Sequence, residues 1–151
     1  MKSVETIIAQ ALAAGHNTLS EYDSKRIIAE YGIPTTREFL AAEFADVEQA
    51  AGRIGYPVAL KACAAAAQHK TEMGLIELGI KDAAELKSAY DRLAPKAIDI
   101  GGSILVQEMV AGSRELVMGL IRDAQFGPCV MFGLGGIFTE ALGDVSFRVR
   151  G

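Results

Sequence analysis

The order of periodicities constrains this chain more than any single residue does. Up to about residue 110, segments with apolar residues at helical spacing alternate with short apolar runs of strand length, and beyond it strand-like runs dominate. That order predicts an α+β fold with a change of lobe near Val110. The helical segments carry their own punctuation. Ser3 caps a short helix with Val4, Ile7, Ile8, Ala11 and Leu12 on one face and Gly15 at its end. Ser20 with Asp23 opens a second helix with the stripe Ile27, Ile28 and Tyr31, closed by Gly32 and Pro34. Asp46 with Gln49 caps a third, carrying Val47, Ala50, Ala51 and Ile54, and Gly55 stops it. Asp82 with Glu85 caps a fourth through Leu86, Ala89, Tyr90 and Leu93, and Pro95 ends it. Strands are expected at 37–42, 58–63, 75–80, 103–110, 115–122 and 129–132, with a weaker pair at 137–142 and 145–149.

A chain of 151 residues has the size of one domain, and with half of it hydrophobic and 23% charged it has the composition of a packed protein rather than a disordered one. The net charge of −4, without a Lys/Arg run, argues against a nucleic-acid partner, which needs a broad basic face. No apolar stretch reaches the roughly 18 residues of a bilayer-spanning helix. The first fourteen residues lack a basic start and an unbroken apolar block, so no signal peptide is read and a cytoplasmic location without membrane contact is expected. Cys63 and Cys129 have no close-spaced partner and read as small core residues.

Lys61 is the first position that points to chemistry, because it stands in the run Pro57-Val-Ala-Leu-Lys-Ala-Cys63 among apolar neighbours. An ammonium there is costly unless an anion meets it. A phosphate or a carboxylate from another strand would serve, and the ordinary alternative is a lysine that snorkels from an edge. Glu108 and Gln107 appear together near the end of an otherwise apolar strand, where a carboxylate beside backbone amides can read an amino-purine and an ion pair with a basic residue would satisfy it equally. Arg114 and Glu115 open the next strand, and since adjacent strand residues point to opposite faces only one can share that site. Glu115 is favoured because Gln107 and Glu108 already suggest a polar pocket mouth, with a solvated strand end as the equal alternative. Lys25, on the second helix, has no local feature that demands more than solvent.

His69 lies in the loop Gln68-His-Lys-Thr-Glu72 between two expected strands. A neutral imidazole can carry a phosphoryl group, with Lys70 and Thr71 beside it and Glu72 fixing its tautomer; a solvated surface histidine is the plain alternative. The segment Gly127–Gly136 suggests a phosphate loop but has Phe138 where a dinucleotide fingerprint needs glycine, and no Gly-Lys-Ser/Thr follows, so a tight turn between strands is the better account. Glu140 and Asp144, four residues apart, are a two-carboxylate candidate for a metal.

These pieces in this order resemble the ATP-grasp half of the ADP-forming acetate-CoA ligases and related acyl-CoA synthetases. The matching segments are Leu19-Ser-Glu-Tyr-Asp-Ser-Lys25, Tyr31-Gly-Ile-Pro34, Ile54-Gly-Tyr-Pro-Val-Ala-Leu-Lys61, His69-Lys-Thr-Glu72, Gln107-Glu-Met-Val110, Glu115-Leu-Val-Met-Gly119, Arg122–Pro128, Met131–Glu140 and Asp144–Arg148. The resemblance implies an ATP-grasp fold, with residues 1–18 a helix and connector, 19–110 the first lobe, complete, and 111–151 part of the second. It implies that Lys25 and Lys61 touch nucleotide phosphates, that Glu108 and the backbone near Val110 hold the adenine, and that Glu115 faces the ribose or phosphates. It further implies that His69 passes a phosphoryl group between the nucleotide and a CoA-binding partner subunit or domain, with ATP or ADP and Mg2+ bound and the chain part of a hetero-oligomer or of a larger chain.

Two departures accompany the match: Ala64-Ala-Ala-Ala67 stands where the family often has Ser-Pro-Asp, and the Asn-Pro strand and later aspartate that supply magnesium ligands in the family do not occur here. A shortened chain, a split gene or a degenerate relative would each account for the second. The implied activity is that of an acid–thiol ligase. The alternatives are a regulatory ATP-grasp module of a protein acetyltransferase and an inactive fragment.

Overall fold

The computed structural model describes residues 4–65, 74–112, 116–135 and 145–149. The chain divides into two units, Met1–Val110 and Ala111–Gly151. The first contains helices α1 (Val4–Ala13), α2 (Glu21–Glu30), α3 (Phe44–Ile54) and α4 (Ala83–Asp99) with strands β1 (Glu38–Ala41), β2 (Val58–Cys63), β3 (Ile76–Ile80) and β4 (Ser103–Glu108); the second contains β5 (Leu116–Asp123), β6 (Gly127–Leu134) and β7 (Val145–Val149). An α+β arrangement is thus what the alternation of periodicities specifies.

The four strands of the first unit lie in the order β1-β4-β2-β3, and every neighbouring pair is antiparallel. β1 and β2 therefore run the same way on either side of β4, joined by the crossover helix α3. Helices α3 and α4 pack on one face. Val47, Ala50, Ala51 and Ile54 of α3 and Leu86, Ala89, Leu93 and Ala97 of α4 meet Val58, Leu60 and Ala62 of β2 and Ile104 and Val106 of β4 in one core. Burying a side chain such as Leu60 contributes about 1.5–3 kcal/mol.

The strand side chains that point away from that core are also covered at the centre of the sheet: Ala59, Cys63 and Leu105 are buried. Lys61 and Gln107 share this second face, which receives polar side chains from α2. At the end of β2, backbone crowds backbone, because a Cβ on Gly102 would lie 2.5 Å from the Cys63 carbonyl oxygen.

Several local expectations change. Helix α3 starts at Phe44, with Glu43 as N-cap making no side-chain bond, so Asp46 sits inside the first turn, where its charge still favours the helix dipole. Pro95 does not end α4, which runs on to Asp99 because Ala97 is anchored in the core and the Lys96 ammonium donates to the Gly74 carbonyl at 2.9 Å. Tyr31 is exposed and no residue of α2 is fully buried, so the stripe expected on it is not a core face. Gly127–Leu134 is strand β6 rather than a turn. The turn precedes it: Asp123 Oδ1 accepts from the backbone N–H groups of Gln125 and Phe126 at 2.8 and 2.9 Å, and Gly127 follows with φ +72°. Both cysteines are buried and unpaired, as small core residues would be.

In the second unit β6 pairs antiparallel with β5 from Asp123↔Gly127 to Leu116↔Leu134 and with β7 from Cys129↔Val149 to Gly133↔Val145. The expected strand at 137–142 lies outside the described residues.

Candidate functional site

Helix α2 begins by converting a sequence cap into a placed charge. Ser20 accepts from the Asp23 N–H at 3.1 Å, which fixes the first turn and puts Glu21 and Lys25, four residues apart, on one face. Across from them the second face of the sheet presents Lys61 from β2, Glu38 from β1 and Gln107 from β4. Glu38 and Gln107 are register partners.

These groups form one cluster of hydrogen-bonded charges. The Lys61 ammonium donates to Glu21 Oε1 at 2.7 Å, and the Lys25 ammonium donates to the same oxygen at 2.9 Å. Lys25 also reaches Glu38 Oε2 at 2.8 Å, Gln107 Oε1 at 3.0 Å and Thr36 Oγ1 at 3.2 Å. Four acceptors surround an ammonium with three N–H bonds, so the acceptors share donors. Lys61 is well covered, its side chain 16% exposed, and the anion that meets it comes from a helix rather than from another strand. Glu38 is the most enclosed of the four charged members, 6% exposed, and its Oε1 is buried without a hydrogen-bond partner among the described residues.

Glu21 and Lys25 are held ionised by their partners. Burial pushes the Glu21 carboxyl up, but the Lys61 ammonium and then that of Lys25 outweigh it and hold it well below the usual carboxylate range. For Lys25, burial favours the neutral amine, and hydrogen bonds and charge from Glu38 and Glu21 reverse this, raising it above an ordinary lysine.

Glu108, at the end of β4, is occupied by Arg37. Its two oxygens accept from the Arg37 backbone N–H and from Nε, both at 2.7 Å, and the Glu108 N–H donates to the Arg37 carbonyl at 3.0 Å. The Arg37 backbone N–H and then its side chain hold the Glu108 carboxyl below its ordinary value. Val110 is exposed two residues further on. A cavity of about 330 Å³ opens beside Lys25, with Arg26, Thr36, Arg37, Glu38 and Arg53 among its lining; Lys61, Glu108 and Val110 are not part of its wall.

His69, Glu115, Glu140 and Asp144 lie outside the described residues. The connection that precedes the histidine loop is tied down where it is described, Thr18 Oγ1 donating to the Ala65 carbonyl at 2.7 Å. Among the described residues no group of three or more His, Cys, Asp or Glu side chains is arranged to hold a metal ion. Likewise, no described helix is long and apolar enough to cross a membrane.

The structure therefore joins Lys25 and Lys61, separated by 36 positions in the chain, through one carboxylate oxygen. It adds Glu21, Glu38 and Thr36, to which the sequence assigned no role, and Arg37 as the partner of Glu108. The spacing of Glu21 and Lys25 is a helix-pair signal readable from sequence; the contacts to Glu38 and Lys61 are not, since they depend on which elements pack together.

Comparison with known proteins places these observations. The ATP-grasp domain family matches residues 10–150. The chain is 38% identical over 149 residues to the acetate–CoA ligase [ADP-forming] II subunit beta of Pyrococcus furiosus, covering 95% of this chain and 63% of that one. Among solved structures, the dinucleotide-forming acetyl-coenzyme A synthetase 1 of Ca. Korarchaeum cryptofilum in complex with coenzyme A, Ca-AMPCP and HgCl+ superposes with a TM-score of 0.81 at 37% identity, covering 97% of this chain and 66% of that one. The same synthetase with coenzyme A and Mg-AMPPCP, its phosphohistidine segment pointing towards the nucleotide binding site, gives a TM-score of 0.72 at 37% identity over 97% of this chain and 64% of that one. The chain thus spans just under two thirds of the length of these relatives. A match across nearly all of its residues, on a structure that superposes with those solved chains, makes this protein a member of the ATP-grasp domain family.

Proposed function

We propose that this chain is the nucleotide-handling part of a cytoplasmic ADP-forming acyl-CoA synthetase. Lys25 and Lys61 take the phosphates of ADP or ATP, Glu108 and the Val110 backbone hold the adenine, and Glu115 faces the ribose or phosphates. His69 carries the phosphoryl group. Acyl-CoA and phosphate exchange to acyl phosphate and CoA on a CoA-binding partner; the acyl phosphate passes its phosphoryl group to the imidazole, freeing the acid; and ADP takes it up to become ATP. Magnesium supplies charge neutralisation at the phosphates when bound, and Glu140 and Asp144 are the residues we assign to it.

One observation carries this reading: two ammonium groups from different elements converge on a single anionic oxygen at 2.7 and 2.9 Å, an arrangement suited to a shared phosphate oxygen. The relatives support it, since a synthetase containing a chain of 37% identity has been solved in complex with coenzyme A and nucleotide analogues. Incubation with γ-labelled ATP and the partner subunit tests it. The expected result is acid-labile label on the wild-type chain and none on His69→Ala; label persisting in that variant would remove the histidine from the pathway.

A further inference from the structure

The charge count of the cluster leads past this assignment. Among the described residues, Lys25 and Lys61 contribute two positive charges and Glu21 and Glu38 two negative ones, so within this group the ammoniums are balanced. A nucleotide phosphate can approach them at full strength only if a carboxylate leaves. The two carboxylates are not equally able to go. Glu38 stands on a strand and is 6% exposed, so its side chain has little room to turn. Glu21 is the first residue of α2, is 24% exposed, and holds Lys61 in the only ion pair that lysine makes among the described residues.

Resting on the nucleotide-site reading above, we propose that Glu21 is an internal stand-in for phosphate: its Oε1 occupies the place between Lys25 and Lys61 that a nucleotide phosphate oxygen takes, and phosphate binding turns it out. Rotation about the Glu21 side chain leaves Lys25 still balanced by Glu38 and uncovers one net positive charge at Lys61. Until it turns, Glu21 keeps both ammoniums close to where an incoming oxygen needs them, so ordering them on binding costs little. The apparent affinity is lowered by the fraction of molecules in which Glu21 is turned away.

Calorimetric titration of ADP into the 151-residue chain, its Glu21→Gln variant and its Lys61→Ala variant separates the possibilities. Glu21→Gln, which keeps shape and loses charge, is expected to bind ADP on the order of tenfold tighter, matching a side chain turned away about one tenth of the time. Equal or weaker binding by a folded Glu21→Gln chain overturns the proposal. Lys61→Ala is expected to bind more weakly; an unchanged affinity in that variant removes the nucleotide site itself, a different failure. A measurement on the wild type guards against loss of fold in the variant. The side-chain carboxyl carbon resonance of Glu21 is expected to move on adding ADP and to stay in place on adding adenosine. A resonance that ignores ADP, or responds equally to adenosine, likewise overturns the proposal.

Discussion

A single oxygen, Glu21 Oε1, receives two ammonium groups, so protonating this one carboxyl weakens two ion pairs of the first unit at once. The Glu21 carboxyl titrates far lower in the folded chain than in the unfolded one, where an ordinary value is about 4.3. A folded-state value lowered in this way stabilises the protein above the unfolded value, and the stabilisation is lost as pH falls through that value toward the folded one. The urea midpoint is therefore expected to decline as pH is lowered from about 5 to 3, with a contribution from this group of at most about 1.4 kcal/mol per pH unit. In Glu21→Gln the slope over that window is expected to flatten; an identical slope would mean that other carboxylates set the acid limit. The residue scale also shows what sequence reading reaches. Lys61 was legible as a residue in need of an anion, because an ammonium between Leu60 and Ala62 is costly to bury alone. The identity of the anion was not, since Glu21 lies 40 positions away on another element. Glu108 illustrates the same limit: its position at a strand end was readable, whereas its engagement by Arg37 follows from the pairing of β1 with β4.

At the scale of elements, β2 was found with the boundaries expected, Val58 to Cys63, because a run that is apolar on both faces and follows Tyr56-Pro57 has the length and flanks of a buried strand. Boundaries failed where tertiary packing overrode a local signal. The Asp46 and Gln49 pair has the form of a helix start, yet α3 begins at Phe44, whose ring packs against the core and lies 5.2 Å from that of Tyr90. Pro95 has the form of a stop, yet α4 passes through it. Proline there supplies no N–H to the carbonyl of Asp91, four residues back, and in a helix interior such a residue costs about 3 kcal/mol. Pro95→Ala is accordingly expected to raise stability by about 1–3 kcal/mol in chemical denaturation, the lower end applying because the residue lies near the helix end. A destabilised variant would show that the ring's packing matters more than the missing bond.

For the whole molecule, the division after Val110 separates two units with different resources. The main core cluster of the first runs from Ala41 to Val106 and lies entirely within it. A fragment comprising residues 1–110 is therefore expected to unfold cooperatively in urea, with a slope of about 1–3 kcal/mol/M, as a small domain does. A broad, non-cooperative transition would show that the first unit depends on the rest of the chain.

The place of β4 sets a timetable for the first unit. The last strand of that sheet to be made is also the one lying between β1 and β2, so a nascent chain on the ribosome holds β1 with no strand to zip against until residues 103–108 have emerged. Local closure of β2 with β3 can come first, but β1 joins only through a contact spanning more than sixty positions, and such distant pairings slow folding. During that delay the bare edge of β1 is the segment most open to pairing with the wrong neighbour.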